Sequence, residues 1–274
     1  MVNQDSFKMD LTRREVLAGG AALLTVAGAA LTALPARAEF DNARAAMKAV
    51  LGDVEPRIGH VALELAKIVE DGGSVPVTIS VDSPMTAEDH VSRIHLFPDK
   101  NPTPFAATFR LGPRCGKAEV STRIRLAESQ TVFAVAELND GSAWMTGSDV
   151  VVTVGGCGIA VSDADSEVRV KTRIKLPKSA TSGKVIQIKT MVTHPMESGH
   201  RRNSAGEPVP RRIINRFTCL YDGEEVFGAD FHPSIAANPM LFFHIVASHS
   251  GALTLKWIDD DGSEYSEIAE IEVA

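Results

Sequence analysis

Between residues 76 and 273 the chain repeats one device, a short run of alternating apolar and polar side chains closed by a turn signal. Strict alternation sends every second side chain to one face, which suits a half-buried β-strand and not a helix. In the first half such runs are VTISV within 76–81, RIHLF within 92–97, ATFRL within 106–111 and VSTRIRL within 119–126, followed by 131–136 and 150–154. The second half continues with VRVKTRIKL (168–176), KVIQIKTMV (184–192), 213–221, 225–230, 241–247, 252–258 and 267–273. Between them stand DGGS, DSPM, DKNPTP, LGPRCGK, LNDGS, Asp222-Gly223 and the turn at 259–262. Many short strands with this punctuation predict an all-β chain built of antiparallel sandwiches. One segment breaks the pattern. FDNARAAMKAVL (40–51) is rich in helix formers, with Phe40, Ala43, Met47 and Val50 or Leu51 at helical spacing, so a short helix is expected there.

The first 38 residues read as a targeting segment. Polar and basic residues, including Arg13-Arg14, lead into the apolar run 16–34, which ends at the small-residue site Ala36-Arg37-Ala38. An uncleaved anchor is the competing reading, because 19 residues can just span a bilayer. The run is rich in Ala and Gly, however, and the A-x-A site favours cleavage before Glu39. Paired arginines before a mild apolar run resemble a twin-arginine export signal, so the expected location is the periplasm, with no membrane contact after cleavage. A formal charge of -7 argues against nucleic acid as a partner, since phosphate binding needs a basic patch.

Between the two halves lies GGCGIAVSDADSE (155–167), a small, polar, glycine-rich stretch that reads as a flexible linker. The expected division is a signal at 1–38, a first β-domain at 39–154, this linker, and a second β-domain at 168–274. VSTRIRL and VKTRIKL lie 50 residues apart with one pattern, but at opposite ends of their domains, which argues against a tandem repeat. The chain has three cysteines, Cys115, Cys157 and Cys219, spaced 42 and 62 residues apart, which matches no zinc pattern. In an oxidising compartment an odd number leaves at least one thiol unpaired, either reactive or bridged between chains, and a disulfide-linked homodimer is one outcome. Cys115 in a turn and Cys219 in a strand read as structural, and a bridge between them stays open. Cys157 sits where the first domain's last strand stops.

His194, His200, His232, His244 and His249 fall in the second half without metal-helix spacing, so structural or solvated roles are expected and no metal is assigned. The run His200-Arg201-Arg202 with Arg211-Arg212 is either a docking surface for acidic partners or a solvated loop. Asp259-Asp260-Asp261-Gly262 reads as a hairpin turn before it reads as a calcium loop.

Several longer runs carry a resemblance. VPVTISVDSPM, NPTPFAATFRLGP, GKAEVSTRIRLAESQTVFAVAE and VTVGGCG resemble SoxY, the sulfur-carrying subunit of the bacterial thiosulfate-oxidising system. RIKLP, VIQIKTMVTHPMESGHRRNSAGEPVPRRIINRF, VFGADFHPSIAANP and SGALTLKWIDDDGSEY resemble its companion SoxZ. The resemblance covers nearly all of 39–274 and implies two immunoglobulin-like sandwiches, with no cofactor of the protein's own assigned. It implies a carrier rather than an enzyme. Cys157 would hold thiosulfate-derived sulfur on an arm formed by Gly155, Gly156 and Gly158. The implied partners are periplasmic sulfur-oxidation enzymes, namely c-type cytochrome, hydrolase and sulfane dehydrogenase components.

The sequence departs from the family's Gly-Gly-Cys-Gly-Gly tail in two respects. Ile159 follows Gly158, and the chain continues into a second domain, so an arm tethered at both ends must enter a partner as a loop unless the linker is cut. Two other classes stay open: a carrier recruited to a different periplasmic dehydrogenase, such as a quinoprotein system, and a metal-dependent redox protein on an immunoglobulin-like sandwich.

Overall fold

The computed structural model describes residues 41–156, 170–203 and 205–274. The expected helix is present as α1 (Asp41–Leu51). Its Ala43, Met47 and Leu51, four residues apart, pack on Phe97, Val135 and Ala143. Buried Asp99 accepts the Ala43 N–H at 2.9 Å, satisfying a first-turn donor that the helix itself leaves unpaired. Among the described residues no helix is long and apolar enough to cross a membrane.

Strands follow throughout. The first half holds β1 (Arg57–Ile58), β2 (Val61–Leu65), β3 (Ile68–Asp71), β4 (Val75–Val81), β5 (Val91–Pro98), β6 (Ala107–Arg110), β7 (Glu119–Ile124), β8 (Gln130–Leu138) and β9 (Ala143–Val154). The second holds β10 (Thr172–Lys175), β11 (Ser179–Ala180), β12 (Lys184–Val192), β13 (Ile214–Tyr221), β14 (Glu224–Phe231), β15 (Met240–Ala247), β16 (Gly251–Asp259) and β17 (Glu264–Val273). Alternation does what it promised. β4 buries Val75, Val77, Ile79 and Val81, and β16 buries Leu253, Leu255 and Trp257, while the residues between them turn outward.

The two halves do not stand apart. One eleven-stranded sheet runs β1-β9-β8-β5-β6-β14-β13-β16-β17-β11, with β3 also on β9, and a six-stranded sheet runs β10-β12-β15-β7-β4-β2. Both sheets cross from the first half to the second. β6 pairs antiparallel with β14, placing Phe109 against Ala229 and Thr108 against Asp230, and β15 meets β7 at Phe242 and Ser121. Phe40–Ala274 is accordingly one compact unit, and a single apolar core extends from Val61 to Ile271.

Polar groups lock the same seam. Arg125, buried at the end of β7, donates from its guanidinium to the carbonyls of Met196 at 2.6 Å and Pro195 at 3.1 Å in the second half. Asn101 donates to the Arg125 carbonyl and to Ser234 Oγ, and accepts from the Ala127 N–H and from Gln130. These groups are buried, and each bond spares the cost of an unpaired polar atom.

Candidate functional site

β9 is a twelve-residue strand held between β8 on one side and β1 and β3 on the other. Its last turn outward is fixed by side chain and backbone together. Ser129 Oγ accepts the Val152 N–H at 2.9 Å. Beyond Val154, the Gly72 N–H donates to the Val154 carbonyl (2.7 Å), the Leu126 N–H to the Gly72 carbonyl (2.8 Å), and the Gly156 N–H to the Leu126 carbonyl (2.8 Å). Three backbone segments thus close a ring at the end of the first half.

That ring explains two glycines differently from a pliable arm. A Cβ on Gly156 would stand 2.1 Å from the Gly72 carbonyl carbon and 2.2 Å from the Gly73 nitrogen, and one on Gly155 would stand 2.0 Å from the Ala127 carbonyl oxygen. All of these neighbours are backbone, so none can rotate aside. Gly155 and Gly156 are therefore required for close approach of main chains, and they are pinned. Cys157 and Gly158 lie outside the described residues, as do the targeting segment, the rest of the linker and residues 168–169. Sequence reading missed the partners of the ring, Gly72 and Leu126. The one signal for them is the Gly-Gly pair inside DGGS, which locally reads as a turn.

The surroundings of the ring are polar and mostly acidic. Asp71 accepts the Gly73 N–H at 2.7 Å, Glu70 and Glu128 are exposed, and Arg123 reaches Ser74 Oγ at 3.5 Å.

The other two cysteines are free thiols in the core. Cys115 donates to the Val226 carbonyl at 3.1 Å, across the seam between halves. Burial pushes the Cys115 thiol up to about 11 and the Cys219 thiol up to about 12, so neither supplies thiolate near neutral pH.

The histidines are dispersed. His194 is buried, accepts the Met196 N–H on Nδ1 at 3.1 Å, and donates from Nε2 to Asp259 at 3.0 Å, which fixes the neutral tautomer. Burial holds His194 below the ordinary histidine range, and the same cause lowers His232 and His244. The His232 ring packs tilted against Phe105, centroids 4.3 Å apart, and His249 bonds Asp222 at 2.6 Å. His95, passed over in the sequence, is buried between Glu137 (2.7 Å) and Thr108 (2.9 Å). Among the described residues no three His, Cys, Asp or Glu side chains converge as metal ligands. The basic run is consumed internally: Arg201 pairs Glu197, Arg211 pairs Asp260, Arg212 pairs Asp259, and Arg202 donates to the Gly206 carbonyl. The acidic triplet is thereby occupied too, with Asp261 accepting the Ser263 N–H of its hairpin turn.

Comparison with known families matches both halves. The model of sulfur oxidation protein SoxY matches residues 47–157, ending on Cys157, and that of sulphur oxidation protein SoxZ matches 174–270. The chain is a SoxY domain fused to a SoxZ domain. Among solved structures it is similar to the sulfur carrier protein SoxY from Chlorobium limicola f thiosulfatophilum, at 27% identity over 41% of this chain and 97% of that one, with a TM-score of 0.36. A putative superoxide reductase from Thermotoga maritima matches at 22% identity over 36% of this chain and 87% of its own, with a TM-score of 0.30. The superoxide reductase (neelaredoxin) of Ignicoccus hospitalis matches at 16% identity over 34% of this chain and 80% of its own, with a TM-score of 0.31. Among curated proteins none matches.

Proposed function

We propose that this SoxY–SoxZ chain is a periplasmic sulfur carrier that holds thiosulfate-derived sulfur on Cys157 and hands it between enzymes. Its family membership assigns it to sulfur oxidation, in company with the enzymes of that system. The observation that carries the finer reading is the pinned ring. Gly156 is fixed by Leu126 and Gly72, so the next residue starts about 3.8 Å from a rigid point. A handle needs such a base, and the two buried thiols cannot compete for cargo because they lack thiolate and access.

Loading joins thiosulfate to the thiol as Cys–S–S–SO3⁻, releasing one proton and two electrons to an electron acceptor of the cytochrome class. A hydrolase then adds water, sulfate leaves, and a persulfide stays on the cysteine. The chain contributes the sulfur nucleophile and a surface, while its partners supply redox and hydrolytic groups. Export in the folded state by a twin-arginine route fits a unit whose two halves share their sheets.

Intact mass spectrometry after incubation with thiosulfate and extract of the source cells tests this. The expected adduct disappears in Cys157→Ala and persists in Cys219→Ala. An adduct on Cys115 or Cys219 instead overturns the site.

A further inference from the structure

Among the described residues seven large apolar side chains stand exposed, and four of them, Ile58, Ile68, Val151 and Val154, lie on β1, β3 and β9 at one edge of the larger sheet. Ile68, 70% exposed, pairs directly with Val151, 54% exposed, in the parallel β3–β9 ladder. Val154 ends the same ladder opposite Asp71, on the other face of the sheet from Ile68 and Val151. Single exposed apolar residues need no explanation, but neighbours on paired strands form a patch that water disfavours. Val151 and Val154 stand six and three positions before Cys157. On the Ile68–Val151 face Glu70 and Asp149 are exposed. Asp71 and Lys67, the latter turned to Ser148 Oγ at 3.1 Å, alternate to the other face, and exposed Glu128 and Arg123 stand beside the ring.

We propose that the β3–β9 edge is the docking surface on which sulfur-processing enzymes seat while they work on the cargo, a proposal that rests on the carrier reading above. An enzyme that acts on a cysteine-bound sulfonate must bind an anion, so the mouth of its site is electropositive. An acidic rim complements that mouth and steers approach, and the apolar residues inside it supply the short-range contact. A second copy of this chain is the wrong occupant, because it would set one acidic rim against another. The patch is also small. A carrier that visits several enzymes in turn has to leave each of them, and a limited contact allows fast release.

The test uses the full chain, reduced and charged with tetrathionate. The Cys157 thiolate attacks a central sulfur, forms Cys–S–S–SO3⁻ and expels thiosulfate, and intact mass reports the loading. A sulfate-releasing hydrolase of a sulfur-oxidation system is then assayed for sulfate at increasing carrier concentration. Ile68→Ser and Val151→Thr are expected to raise KM about tenfold with kcat unchanged, as removal of a central contact does. Glu70→Lys raises KM and flattens its salt dependence. Ile268→Ser, on β17 toward the opposite edge of the sheet and 65% exposed, changes neither constant. KM values for Ile68→Ser and Val151→Thr within about twofold of the parent, with loading intact, overturn the docking surface alone. A parent chain that takes up no adduct overturns the carrier reading first. A dimer in light scattering that Ile68→Ser converts to monomer gives the edge to a second copy and overturns the proposal.

Discussion

Replacing Gly156 by alanine adds one methyl group at the point where three backbones meet. That carbon would lie 2.1 Å from the Gly72 carbonyl carbon, well inside any distance real Cβ atoms keep, with only main chain to push against. Relief requires the end of β9 to withdraw, which opens the three hydrogen bonds linking Val154, Gly72, Leu126 and Gly156. At about 1 kcal/mol net for each bond, the loss is about 3 kcal/mol. The alanine restricts the unfolded chain and returns roughly 0.5 kcal/mol, leaving a net destabilisation of about 2–3 kcal/mol. Urea denaturation should show the midpoint falling by about 1 M with an unchanged slope. Hydrogen exchange should place the damage at the Gly72 and Leu126 amides. A midpoint equal to or above the parent's refutes the reasoning, and would mean that glycine at 156 serves pliability only.

Three further outcomes are expected. Arg125→Met leaves the carbonyls of Pro195 and Met196 without their donor, costing about 3 kcal/mol and lowering Tm by about 6–12 °C in calorimetry. With an aromatic disulfide reagent near neutral pH, one thiol per native chain should react quickly and vanish in Cys157→Ala, while Cys115 and Cys219 react only after denaturation. Fast labelling of either would contradict their burial. Stability should also fall with acid, because His194 is held neutral when folded and binds a proton near pH 6.5 when unfolded. Above about pH 6.5 neither state takes up the proton and the full stability is present. As pH drops below that value only the unfolded state gains it, so stability declines by up to about 1.4 kcal/mol per unit from this group. Urea midpoints across that range, with His194→Gln as the comparison, measure the slope. An identical slope in the variant would assign the effect elsewhere.

The strands were legible where alternation was strict, as in KVIQIKTMV and ALTLKWI, because the period alone fixes which side chains are buried. β1, β2 and β3 were not. Their residues 57–71 (RIGHVALELAKIVED) fit a helix nearly as well as strands, and pairing with β4 and β9 decides the matter. Among the described residues of the run 168–176, β10 spans Thr172–Lys175. Joining of the halves was invisible for a deeper reason. Edge pairing between β6 and β14 depends on two open sheet edges meeting in register, and each edge reads locally like any other strand. The candidate site shows the same limit. The cysteine and its glycines stood out by composition, yet the reason for Gly155 and Gly156 lies in Leu126, Ala127 and Gly72, which no local motif connects to them.

β9 also has a mechanical side. In the proposed carrier, an enzyme drawing on the chain beyond Gly156 would load β9 from its C-terminal end. That load is spread over the whole β8–β9 ladder, from Gln130 with Val150 to Glu137 with Ala143, and over the parallel pairing with β3. Bonds lying across the direction of pull are strained together, in shear, where a load applied sideways would peel them one at a time. If Cys157 carries cargo as proposed, β9 would bear that load through its pairing with β8 and β3 together.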